Sequence, residues 1–137
     1  MPANGDRENG SAVVLVAEDE GSLRLALVDA LGRNGYGSVE ARSGDEVVLV
    51  ARRERPDLIL MDLMMPLLDG YAAARVLRRD PATREIPILA FNAPPFGNGS
   101  KKRRHPLRTE DERRLLEKIR SILSHARRGP ARAALSS

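Results

Sequence analysis

Cysteine is absent from the 137 residues. Neither a disulfide framework nor thiol chemistry is therefore available, which suits a reducing compartment. Aromatic residues are scarce: Tyr36, Tyr71, Phe91 and Phe96 make up 3% of the chain. A core must be built from Leu, Val, Ile and Ala instead. No apolar run approaches the roughly 20 residues of a membrane-spanning helix, so no membrane association is expected. Residues 1–11 lack the basic-then-apolar order of a secretion signal. No internal repeat is visible, and the length suits one domain rather than two. These absences predict a cytoplasmic, globular protein.

What charge there is divides unevenly. Residues 1–92 carry 11 Lys and Arg against 15 Asp and Glu, a net of −4, whereas residues 93–137 carry 12 against 4, a net of +8. The acidic part reads as a folded domain with a carboxylate-rich site. The basic excess belongs to the last third. We divide the chain into a flexible leader (1–11), one domain (12–126) and a disordered basic tail (127–137).

Periodicity supplies the elements. Ala12–Ala17 (AVVLVA) and Leu58–Met61 are continuous apolar runs, the mark of strands covered on both faces of a parallel sheet. Gly37–Ala41 is a short strand and Ile86–Phe91 (IPILAF) another. Between them lie helical patterns: Ser22 to about Arg33, stopped by Asn34-Gly35; a helix opened by the capping box Ser43-Gly44-Asp45-Glu46 and closed by Pro56; and Tyr71–Arg79, with Ala73, Val76 and Leu77 facing inward. The order β-α-β-α-β-α-β with short connections predicts a doubly wound α/β fold with a parallel sheet. From Asn92 to Pro106 (NAPPFGNGSKKRRHP) no period is evident. Thr109-Glu110-Asp111-Glu112 then opens a last helix, whose apolar stripe is Leu115, Ile119, Ile122, Leu123 and Ala126.

Two buried strands end on acid. The first runs into Glu18-Asp19-Glu20 and the central one into Asp62. Open α/β sheets hold their ligands at the C-terminal edges of such strands, near the point where strand order reverses. Carboxylates gathered there repel unless a cation offsets them. Mg²⁺ suits the set, because it takes few protein oxygens and keeps several waters. With that ion, Asp62 can serve as an oxygen nucleophile toward a phosphoryl group, while Glu18 and Asp19 hold the metal. A phosphatase of the haloacid-dehalogenase type would need a second Asp two residues on, where Met64 stands.

VLVAEDE followed by a Leu-rich helix, together with DLILMDLMMPLLDG, resembles the receiver domain of response regulators, the CheY-like module of two-component signalling. The resemblance covers about residues 12–92 well and 109–126 loosely. It implies a flavodoxin-like sheet of about five strands. It implies that Asp62 accepts a phosphoryl group from a histidine kinase or phosphotransfer protein, with at most slow self-dephosphorylation and no other enzyme activity. It also implies Mg²⁺ bound by Glu18, Asp19, Asp62 and the backbone carbonyl of Met64, and output through an unidentified downstream protein. No output domain is expected after residue 126, and homodimerisation is compatible with the reading.

The chain departs from the family pattern after its fourth strand. Asn92 stands where receivers carry a Thr or Ser hydroxyl; its amide can still donate to phosphate. The Lys-Pro that normally ends the fifth strand has only His105-Pro106 as its counterpart, with Lys101 and Lys102 as other sources of charge. The fourth helix is expected to be reduced or absent, which would expose one face of the sheet. These departures support an alternative, a pseudo-receiver binding module without efficient phospho-switching. Nucleic-acid binding through Lys101-Lys102-Arg103-Arg104 is not expected, since the run lacks interleaved aromatics and any known reading motif.

Overall fold

In the computed structural model, which describes residues 11–62, 70–91 and 109–128, the apolar runs form strands β1 (Val13–Ala17), β2 (Gly37–Ala41), β3 (Leu58–Asp62) and β4 (Ile88–Phe91). Helices α1 (Gly21–Arg33), α2 (Gly44–Glu54) and α3 (Gly70–Arg79) alternate with them, and α4 (Thr109–Arg128) follows. Every pairing is parallel, in the order β2-β1-β3-β4. The chain winds outward from β1 to β2 and returns past β1 to β3 and β4. The order thus reverses between β1 and β3, the doubly wound arrangement expected from the pattern. The expected fifth strand, the reduced fourth helix, the leader's first ten residues and the tail from residue 129 lie outside the described residues.

Side chains alternate across the sheet, so each face carries its own core. Leu15, Ala17, Ile59 and Met61 meet Val47, Val50 and Ala51 of α2 and Ala73 and Leu77 of α3. On the other face Val14, Val16, Leu58 and Leu60 meet Leu23, Leu27 and Leu31 of α1 and Leu116, Ile119 and Leu123 of α4. Among the described residues no aromatic ring is buried. Among the described residues no helix is long and apolar enough to cross a membrane.

Local chemistry sets the boundaries. Asn34 caps the end of α1 with its side-chain amide on the Ala30 carbonyl (2.8 Å), and Gly35 follows at φ 85°, a left-handed turn that glycine takes without a Cβ clash. Arg55 ends α2 in the left-handed region at φ 45°, and Pro56 prevents any continuation. After α3, Thr83 is buried and donates its hydroxyl to the Leu77 carbonyl (2.7 Å). Asp80 accepts from the Ala82 amide and pairs with Arg52 of α2, which together hold its carboxyl below the usual range. Strands β1 and β3 are joined at their N-terminal ends by a two-way link: the Val13 amide donates to the Asp57 carboxylate and the Asp57 amide to the Val13 carbonyl, both at 2.8 Å.

Three details differ from the sequence reading. Val76 is 46% exposed, so α3 buries Ala73 and Leu77 without it. The buried residue of the adjacent pair in α4 is Leu116, with Leu115 only partly covered. Ser43 does cap α2 by accepting from Glu46 (3.3 Å), but the Glu46 carboxylate accepts from the Arg42 amide (2.6 Å), one residue before the cap. The side chain of Thr109 lies outside the described residues.

Candidate functional site

The sheet pairing brings the two acid-ended strands level. Leu60 faces Val16 and Met61 faces Ala17 in register, so Glu18 and Asp62 lie opposite each other just past the last rung. Glu18 is 1% exposed and Asp62 3%. Burying two carboxyl groups side by side is costly unless charge is neutralised or hydrogen bonds replace the lost water. At Glu18 part of that compensation is visible among the described residues. Glu18 Oε2 accepts from the Glu20 amide (2.9 Å). Its Oε1 is buried and has no hydrogen-bond partner among the described residues.

The consequence is a raised proton affinity. The Glu18 carboxyl is pushed from 4.5 up to about 9, first by burial and then by Asp62, which accepts a hydrogen bond from the protonated form and repels the charged one. Asp19 adds to this, and the Glu20 amide opposes it. A proton bound here offsets the repulsion between the two carboxyls, as a cation would. Among the described residues no three acidic or imidazole side chains close into a cation cage. A hard ion held here would draw much of its shell from water, as Mg²⁺ does. The orphaned Glu18 oxygen, the adjacent Asp62 and the half-buried Asp19 fit such an ion.

Glu20 has a different task from its two neighbours. Its carboxylate caps α1, accepting from the Leu23 amide (2.8 Å) and the Ser22 hydroxyl. The acidic triplet therefore divides into two site residues and one helix cap. One residue at the site was not anticipated from the sequence. Arg24, in the first turns of α1, donates Nη1 to the Glu18 carbonyl (3.0 Å) and pairs Nε with Glu40 of β2 (2.9 Å). Met64, Asn92, Lys101, Lys102 and His105 lie outside the described residues.

Comparison with known proteins places this geometry in a family. The profile of the response regulator receiver domain matches residues 14–94. The chain belongs to the response regulator receiver family. Its fold is that of CheY-like receivers, and the domain is one of two-component signalling. The receiver is 30% identical to protein PilH of Pseudomonas aeruginosa over 119 residues, covering 82% of this chain and 98% of that protein. It is 40% identical over 86 residues to the probable transcriptional regulator ycf27 of Pyropia yezoensis, covering 63% of this chain but only 34% of that one. The chain thus spans about a third of the length of several curated relatives it matches. Among solved structures, the receiver domain of the sensor histidine kinase PA1611 from Pseudomonas aeruginosa is 28% identical, with a TM-score of 0.62, over 79% of this chain and 96% of that one. That structure holds a magnesium ion coordinated in its active-site cleft.

Proposed function

We propose that this receiver takes a phosphoryl group on Asp62 from a histidine kinase or phosphotransfer protein. Mg²⁺ would be held by Glu18, Asp19, Asp62 and the backbone carbonyl of Met64. The observation that carries the reading is the side-by-side burial of Glu18 and Asp62 at the level ends of two adjacent strands, with Glu18 Oε1 left without a hydrogen-bond partner among the described residues.

In the proposed step an Asp62 carboxylate oxygen attacks phosphorus, an acyl phosphate forms, and the bond from phosphorus to the donor's leaving atom breaks. The metal, when bound, neutralises charge on the transferred oxygens. Burial keeps water away from Asp62 and strengthens its interactions with nearby charge. Glu18 and Asp19 supply the negative charge that draws the cation in. Asn92 would donate its amide to the new phosphoryl group, and Lys101, Lys102 or His105 would pair with its oxygens. Output would pass to a protein target by a population shift, in the cytoplasm, and hydrolysis of the acyl phosphate would be slow.

The test is intact mass after incubation with acetyl phosphate and Mg²⁺. A gain of about 80 Da, one acyl phosphate, is expected for the wild type and is lost in Asp62→Asn and when the metal is chelated. No gain from folded protein that still binds Mg²⁺ would leave the pseudo-receiver module as the better reading, with Asn92 in place of the usual hydroxyl as its support.

A further inference from the structure

We propose that Arg24 is a positioning residue for the acidic site: its guanidinium fixes the backbone at Glu18 and so sets where the Glu18 and Asp19 carboxylates meet Mg²⁺ beside Asp62. The proposal rests on the metal-assisted reading above and deepens it.

The sheet itself cannot hold this backbone. The last rung between β1 and β2 is the bond from the Glu18 amide to the Ala41 carbonyl (3.1 Å). Beyond it β2 turns away, since Ala41 is its last residue and Ser43 already caps α2. The Glu18 carbonyl therefore takes its donor from Arg24 Nη1 at 3.0 Å. The same guanidinium is anchored by Glu40 at 2.9 Å, with the Arg24 side chain only 13% exposed. One planar fork thus ties α1, the end of β1 and the end of β2 together at the edge where the acids stand.

Its location argues against a purely local role. A cation near the N-terminus of a helix opposes the helix dipole. Arg24 is the fourth residue of α1, whose range begins at Gly21. In the other direction the link is short, because the Glu18 side chain that reaches Asp62 hangs from the same residue whose carbonyl is clamped. Glu18 Oε2 also depends on the Glu20 amide, two residues along the clamped loop. A shift of this backbone moves Glu18 and Asp19 together relative to Asp62, which belongs to β3 and stays.

The experiment compares wild type, Arg24→Gln, Arg24→Lys and Glu40→Gln in the full chain. Arg33→Gln is the control, an α1 arginine paired to Asp29 and Glu112 away from the site. Mg²⁺ isotherms are measured by titration calorimetry without phosphodonor, beside the rate of mass gain with acetyl phosphate at varied Mg²⁺. Arg24→Gln is expected to weaken Mg²⁺ about tenfold, the lower end for residues that orient metal ligands. Its rate at saturating Mg²⁺ stays within about twofold of wild type, since ion binding and not transfer is impaired. Arg24→Lys recovers part of the affinity because one ammonium reaches only one acceptor. Glu40→Gln, which keeps the carbonyl bond, loses less than Arg24→Gln.

A wild-type isotherm for Arg24→Gln, an equal loss in Arg33→Gln, or a wild type that binds no Mg²⁺ each overturns the proposal. If Arg24→Gln does not fold, the Arg24→Lys isotherm decides by the same criterion. A wild type that binds Mg²⁺ but gains no mass counts against the phosphoacceptor reading alone, and the isotherms still judge Arg24.

Discussion

Strands β3 and β4 lie side by side in the same sheet, yet they are different kinds of strand. All five residues of β3 are buried, whereas none of the four in β4 is, and Ala90 is exposed. β3 has β1 on one side and β4 on the other, with helices over both its faces. Both cores and both acids gather on β1 and β3. β4 is thinner in apolar burial, and the sequence leaves the family pattern directly after it, before α4 returns to the core with Leu116, Ile119 and Leu123.

Four measurements bear on that contrast. The greatest separation is expected at a register pair, Asp62 and Phe91. Asp62→Asn abolishes the mass gain from acetyl phosphate, and Phe91→Leu keeps it; loss in both would mean that β4 belongs to the site. Next come Leu60 and Leu89, also paired in register and on the same face. Denaturant unfolding should show Leu60→Ala losing about 3–4 kcal/mol and Leu89→Ala about 1–2 kcal/mol, following how completely each is buried. Equal losses would break the contrast.

A pH scan sharpens it from the side of the acids. Glu18 binds its proton more tightly folded than unfolded, so stability from that proton is fully present below about 4.5 and is lost as pH rises through about 9. The melting temperature of metal-free protein is expected to fall across that window, and Glu18→Gln to flatten the slope. Mg²⁺ held as proposed would compete with the same proton, so its affinity should rise with pH and its binding release protons. The smallest effect is expected at Arg33, which bridges α1 to Glu112 of α4 on a half-exposed surface. Arg33→Gln should leave the denaturant midpoint almost unchanged; a clear loss would show that α4 is held by charge as well as by Leu116, Ile119 and Leu123.

How much of this could be read from the sequence depends on the range over which the cause acts. The apolar runs gave β1 and β3 nearly to the residue, because a strand buried on both faces leaves no alternation to misread. The side-by-side placement of Glu18 and Asp62 at two strand ends was legible because each follows such a run directly, with Asp19 next to the first. Val76 and Leu115 misled for a shared reason. Each stands beside another apolar residue, and helical spacing alone cannot say which of two neighbours turns inward. Arg24 was illegible, since its partner Glu40 is 16 positions away in another element; a cation early in a helix was the one available sign. That Glu20 caps a helix while Glu18 is buried also depends on where α1 begins, which the triplet itself does not encode.

The reciprocal link between Val13 and Asp57 has a metric consequence. It sets a common origin for two strands that then run the same distance: five residues on from Val13 is Glu18, and five on from Asp57 is Asp62. The offset of 44 positions at the link is the offset between the two acids. Alignment of the carboxyls is therefore a matter of equal counting from a shared zero mark. Lengthening either strand by one residue would carry its acid about 3.3 Å past the other and turn it to the opposite face of the sheet. The spacing between link and acid should then tolerate exchange of one apolar residue for another of similar size far better than insertion.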